Sequence, residues 1–243
     1  MPSAQHRYAF TWRSWRATVV KPHTEYAGSG LFDRIRFRLL KSLYDLFFVS
    51  MVRDDSWQEP LVVSLAPKIN NRILDFGPGS GLTAVALALR FPEASFIGAD
   101  PDPKAVEKAR QCIARHQIGN IAIIEVPRDG RLPFDAGSFD KVVCVLTLHD
   151  RLPDEKVGIV KEMMRVLRHG GTLHVADYDK PETPGEAAVL KLARYISGAA
   201  AIEPHIDGSW IKFLAEAGLI GIRRQSSHPV RVGRILVVKA RKR

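Results

Sequence analysis

The sequence predicts an α/β protein built on a doubly wound, mostly parallel sheet of seven strands. Three observations carry that prediction. Short β-rich stretches alternate with helical patterns from Arg72 onward, and a glycine-rich turn joins the first strand to the first helix. The last two strand candidates are joined too tightly for a crossover, so they form a hairpin and one terminal strand runs antiparallel to the rest.

The chain has 243 residues, is 46% hydrophobic and 26% charged, and has a mean hydropathy of −0.08, which suits one domain, or one domain with an added segment, able to bury a full core. Its two cysteines, Cys112 and Cys144, lie in apolar sequence without metal spacing, so neither a disulfide framework nor a zinc scaffold is expected. No apolar run approaches the roughly 18 residues of a membrane span. The opening H-R-Y-A-F-T-W-R-S-W-R lacks the apolar core of a signal peptide, and the expected location is the cytoplasm.

Taken in order, residues 1–56 read as an irregular arm followed by an amphipathic helical lid from about Leu31 to Val52. Arg34, Arg38, Lys41 and Asp45 mark one face of that helix, and Phe32, Ile35, Leu39, Leu43 and Leu46 another. The join falls near Trp57 to Pro67, and residues 57–243 form the main domain. Its strands are expected at Arg72 to Phe76, Ser95 to Asp100, Ile121 to Val126, Phe139 to Leu146 and Thr172 to Asp177. Helices are expected at Leu82 to Arg90, Pro103 to His116 and Asp154 to Arg168, with Pro103 in a first turn and Gly170-Gly171 as the stop of the third. Beyond Pro184 come helices at Gly185 to Ser197 and Ser209 to Ala217. The hairpin strands follow at Gly221 to Ser227 and Arg234 to Ala240, joined around His228 to Gly233.

The segment R-I-L-D-F-G-P-G-S-G, Arg72 to Gly81, is the most informative. A buried strand ends in Asp75, and Gly77, Gly79 and Gly81 let the backbone turn sharply and approach a ligand. Asp100, at the tip of the second strand, stands where a carboxylate accepts both hydroxyls of a ribose. The G-x-G-x-G spacing differs from the dinucleotide G-x-G-x-x-G, no Lys-Ser/Thr pair follows, and Asp75 would repel a phosphate. A cationic nucleoside cofactor such as S-adenosylmethionine meets these conditions.

From Ile73 to about Asp177 the chain resembles class I S-adenosylmethionine-dependent methyltransferases, in the broad branch of quinone, sterol and phospholipid methyltransferases. The resemblance rests on L-D-F-G-P-G-S-G, I-G-A-D, L-P-F-D-A-G-S-F-D (Leu132 to Asp140) and M-M-R-V-L-R-H-G-G-T-L (Met163 to Leu173). It implies a Rossmann-like fold in which Gly77, Pro78, Gly79 and Gly81 pass under the methionine portion of S-adenosylmethionine and Asp75 holds its amino group. Asp100 would bind the ribose, Pro101 would pack on adenine, and Leu146 would line the cofactor at the fourth strand. The family's adenine-binding acid, four residues before Leu132, is Arg128 here; either Asp129, beside Gly130, serves after a one-residue shift or that contact is missing. Tyr44, in S-L-Y-D-L-F-F, matches a tyrosine that reaches the methionine carboxylate, or it is a core aromatic.

The strand tips also present candidates for the acceptor side. His149 reads as a general base for an acceptor hydroxyl or ammonium, or as a residue that orients its loop. Asp177, Tyr178 and His205 complete the expected substrate pocket, His205 reading otherwise as a solvated loop residue. No metal is expected, because the sulfonium is already a good methyl donor.

The net charge of +10 sits at the two ends. Met1 to Lys41 holds eight Lys/Arg against Glu25 and Asp33, and Gly221 to Arg243 holds eight against none. Taking those sixteen and two from totals of 36 and 26 leaves 20 basic against 24 acidic in the middle. Basic ends suit peripheral contact with an anionic membrane, where Arg34, Arg36, Arg38 and Lys41 would face lipid headgroups with Trp12 and Trp15 nearby, or contact with nucleic acid phosphates. The stretch after the fourth strand, L-T-L-H-D-R-L-P, lacks the Pro-Pro-aromatic run of base-modifying enzymes, so nucleic acid is the weaker reading. The expected activity is methyl transfer from S-adenosylmethionine to a small, apolar or amphipathic acceptor of quinol, lipid or natural-product type, with RNA methylation as the alternative.

Overall fold

Apolar residues on both faces of a central strand require cover on both faces. In β1 (Arg72–Phe76) Ile73 faces one core and Leu74 the other, and β4 (Phe139–Val145) divides Val143 from Val142 and Cys144 in the same way. The computed structural model describes residues 56–230 and 233–243 and shows a seven-stranded sheet between two helical layers. The arm, the lid helix, Tyr44 and the basic residues of the first 52 positions lie outside the described residues.

The strand order is β3-β2-β1-β4-β5-β7-β6, with β2 at Ser95–Asp100, β3 at Ile121–Glu125, β5 at Leu167–Tyr178, β6 at Ile220–Val230 and β7 at Gly233–Arg241. All neighbours are parallel except β7, which runs antiparallel to both β5 and β6. The hairpin is therefore present, and its last strand is the inner one, inserted beside β5. Helices α1 (Gln58–Leu65), α2 (Leu82–Arg90), α3 (Pro103–His116), α5 (Pro184–Ser197) and α6 (Ala199–Ile206) contribute to one core. Helix α4 (Pro153–Val166), a 3-10 turn at Ser209–Ile211 and α7 (Lys212–Glu216) contribute to the other.

Several boundaries differ from expectation. Helix α4 stops at Val166, and Gly170-Gly171 lies within β5. Between the Phe139–Leu167 and Lys141–Thr172 pairs β5 bulges, and Gly170 (φ +71°) turns the chain so that its amide donates to Lys242 O, 3.1 Å. Segment 199–206, expected as loop, is helical despite Pro204, because Gly198 (φ +90°) breaks α5 and Ile202 anchors the new helix in the core. Residues 58–65 form α1, which presses Leu61 and Leu65 onto the sheet, with Trp57 packed in the same core.

The basic carboxyl terminus is sewn to the start of β5. Lys242 Nζ donates to Leu167 O at 2.7 Å, and His169 Nδ1 donates to Arg243 O at 2.9 Å. This places Arg241 to Arg243 at the pole of the sheet opposite the carboxyl ends of its parallel strands. Among the described residues no helix is long and apolar enough to cross a membrane.

The β5 bulge supplies a test of the fold. A Cβ at Gly171 would meet Asp140 O and Arg168 O, both at 2.9 Å, and backbone cannot yield cheaply. Gly171→Ala is expected to cost about 1–3 kcal/mol, seen as a lower Tm in thermal melts. Gly119→Ala, where a Cβ meets nothing within 4 Å, leaves Tm unchanged within error.

Candidate active site

The parallel strands end side by side, and their registers place the key residues along one edge. Asp75 pairs with Gly98 on one side and Val143 on the other, while Val145 pairs with Ala176. Asp100 follows β2's Ala99, Leu146 follows Val145, and Asp177 follows Ala176, so residues from four strands meet at this edge.

The three loop glycines have left-handed backbone, at φ +73° (Gly77), +56° (Gly79) and +77° (Gly81), each for a different neighbour. A Cβ at Gly77 would stand 2.6 Å from Thr147 Oγ1, and at Gly81 2.8 Å from Ala109 Cβ, so these two are glycines for internal packing. Gly79 faces nothing within 4 Å. Open space at this position leaves the backbone accessible to a ligand. The Gly79 amide donates to Asp100 Oδ2 at 3.0 Å, and the Asp102 amide donates to Asp100 Oδ1 at 2.9 Å, which fixes the loop against the tip of β2.

Asp75 differs from every other carboxylate at this edge. It is 1% exposed and neither oxygen has a hydrogen-bond partner. Burial, with the charge of Asp100 adding to it, pushes its carboxyl up to about 7. Asp100 is also raised, chiefly by burial, against which its two amide bonds work. The orphaned oxygens of Asp75 and the open space over Gly79 fit a nucleoside cofactor with a cationic amino-acid tail.

At the end of β4, Leu146 has φ +51°, a strained conformation for a branched residue, held by its amide donating to Ala176 O at 2.8 Å. Thr147 lies under Gly77 and donates to Val145 O at 2.9 Å. Asp177 then organises the following loop. Its Oδ2 accepts from Leu148 N (2.8 Å), and its Oδ1 accepts from Tyr178 N (2.8 Å) and His149 Nδ1 (3.1 Å). Asp177 is buried, yet the imidazole of His149 and these donors hold its carboxyl below the usual range. For His149, burial opposes protonation, but Asp177 and Asp150 outweigh it and raise the imidazole above its ordinary value. With Nδ1 committed to Asp177, Nε2 is the nitrogen left for proton transfer.

The other expected residues divide. Tyr178 is fully buried, its ring edge-to-face with His149 at 4.9 Å. His205, read as loop or pocket, is fully buried on α6: its Nδ1 donates to Tyr178 O at 2.9 Å and its ring stacks on Trp210 at 5.3 Å. Burial lowers it to about 4, so it is neutral at physiological pH. Its ring centre is 6.4 Å from that of His149. The solvated-loop reading of His205 is thereby excluded. Pro78 and Pro101 are half-buried. Asp129 is exposed and accepts from Arg131 N at 3.0 Å, while Gly130 (φ +77°) is buried. Tyr44 lies outside the described residues.

Lys156 and Trp210 were absent from the sequence-derived site. Lys156 had a legible signal: it shares a helical stripe with Val160 and Met163 at i, i+4 and i+7, a lysine on a core-facing line. Trp210 had none, since its partner His205 reaches it only through the turn at Gly208.

The raised carboxyl of Asp75 predicts a pH signature. A group whose folded pKa exceeds its unfolded value of 3.8 withdraws stability as pH rises from about 4 to about 7. Asp75→Asn is therefore expected to raise the Tm of the ligand-free protein at pH 8. The same substitution weakens calorimetric binding of S-adenosylmethionine at least tenfold. Wild-type affinity falls below pH 7, by at most tenfold per unit, as Asp75 takes up its proton.

Comparison with known proteins agrees with this geometry. Residues 73–171 match a family model described as "Methyltransferase domain". A ubiquinone/menaquinone biosynthesis C-methyltransferase of Geobacter sp. strain M21 is 28% identical over 164 residues, 65% of this chain and 69% of that protein. A demethylmenaquinone methyltransferase of Deinococcus radiodurans is 29% identical over 158 residues, covering 64% of each. Among solved structures, the YcgJ protein of Bacillus subtilis superposes with a TM-score of 0.62 at 18% identity, over 76% of this chain and 97% of that one. Human N-acetylserotonin methyltransferase, solved with S-adenosylmethionine, gives 0.63 at 15% identity over 88% and 59%. The glycine loop, the unpaired Asp75 and Asp100 on one sheet edge of this strand order, together with these similarities, support a class I S-adenosylmethionine-dependent methyltransferase.

Proposed function

We propose that the enzyme methylates a small, apolar or amphipathic acceptor whose reacting group loses a proton, and that His149 takes that proton. The observation that carries the reading is the His149–Asp177 pair, placed on the strand edge that also bears Asp75 and the glycine loop. Similarity to the quinone-pathway methyltransferases of Geobacter and Deinococcus supports a quinol-type acceptor for this chain too.

When bound, S-adenosylmethionine supplies an electrophilic methyl on a sulfonium. The protein's own residues do the rest. Asp75 holds the cationic amino group, Gly77, Pro78, Gly79 and Gly81 support the methionine portion, and Asp100 receives the ribose hydroxyls. Pro101, Asp129 and Gly130 border the adenine, and strained Leu146 directs the β4 tip toward the reacting end. His149 Nε2 accepts the acceptor's proton, and ionised Asp177 stabilises the imidazolium through Nδ1–H. Burial of Tyr178, His205 and Trp210 behind the imidazole keeps water from its rear face. Alignment of acceptor and methyl supplies the larger share of rate.

The test is incubation with methyl-labelled cofactor and fractionated extract. Label is expected in lipid or small apolar metabolites; label in RNA would replace this reading with nucleic acid modification. On the acceptor so found, His149→Asn lowers kcat/KM by roughly 10²–10⁴-fold with cofactor affinity unchanged. The wild-type kcat/KM rises with pH along a limb set by deprotonation of His149, above the ordinary histidine value.

A further inference from the structure

Lys156 is fully buried, and its ammonium is held by main-chain carbonyls: Nζ donates to Arg151 O and, at 2.6 Å, to Ala201 O. Burying an ammonium without a bonded carboxylate costs several kcal/mol that an apolar side chain of the same length would avoid. Such a residue is more than filler for the α4 core. Its two acceptors show what it joins. Arg151 O belongs to the loop 146–152 that carries His149, and Ala201 O belongs to α6, which carries His205. The same loop is fixed at its other end by Asp177, through Leu148 N and His149 Nδ1. The His149 loop is thus clamped from β5 by a carboxylate and from α4 by an ammonium.

We propose that Lys156 is a positioning residue for methyl transfer, its ammonium tying the His149 loop to α6 and setting the orientation and basicity of His149. This rests on the reading of His149 as the base. The electrostatics agree with the geometry. Lys156 is drawn down to about 8, chiefly by burial, against the charges of Asp177, Asp150 and Glu155. Its charge in turn opposes protonation of His149 and of His205. The groups facing the ammonium are therefore Asp177 on β5, Asp150 and His149 in the loop, Glu155 on α4 and His205 on α6.

The full chain, with 15N-labelled histidine and bound S-adenosylhomocysteine, provides the measurement. The titration of His149, assigned with His149→Asn, is followed by NMR. Lys156→Met and Lys156→Gln are expected to raise its midpoint, its proton affinity growing roughly tenfold, whereas Lys156→Arg leaves it near wild type. Gln keeps one donor for a carbonyl, so it reports even if Met impairs folding. Calorimetric affinity for S-adenosylhomocysteine stays unchanged in all three. An unmoved midpoint in both neutral variants, or loss of S-adenosylhomocysteine binding with it, overturns the proposal and leaves Lys156 a structural residue. Unimpaired transfer by His149→Asn alongside the expected shift would instead sink the base assignment.

Discussion

The unpaired carboxylate of Asp75 is the constraint around which the cofactor half of this protein is built. A buried acid with two unsatisfied oxygens destabilises the empty fold, and it is held there by β1, flanked on both sides by parallel strands. Nothing around it relieves the strain. Thr147 fills the space under Gly77, Ala109 fills the space beside Gly81, and the amide of Gly79 is turned to Asp100. A Cβ at Gly79, unlike one at Gly77 or Gly81, would meet nothing within 4 Å. The fold therefore forgoes the stability that a partner for Asp75 within the chain would contribute.

A second buried polar group governs the acceptor half. Asp177 is as buried as Asp75, but it accepts three hydrogen bonds and stays ionised. Two aspartates at the ends of nearby strands thus have opposite proton affinities: one is raised by burial and the charge of Asp100, and the other is lowered because His149 and backbone amides outweigh its burial. Asp177 can stabilise a charge arising on His149 for the duration of a reaction. His205, anchored to Tyr178 O and stacked on Trp210, forms a neutral backing for that pair.

The charge distribution follows the same division. The basic carboxyl terminus is bonded to the start of β5, and Asp75, Asp100 and Asp177 lie at the other pole.

The chain's local chemistry determined the elements and the cofactor loop. Strands and helices from Arg72 to His116 fall where periodicity and capping place them, and Asp75, the glycines and Asp100 are adjacent in sequence to the turns that aim them. Such features depend on neighbours within a few residues, which a sequence displays directly. Tertiary structure decided what depends on lateral contact. The insertion of β7 beside β5, the glycines inside the β5 bulge, and the clamp from Lys156 to Ala201 join positions that only folding brings together. His149 shows both: its place at a strand tip was legible, while the partner that makes it basic, 28 residues away, was chosen by the pairing of β4 with β5.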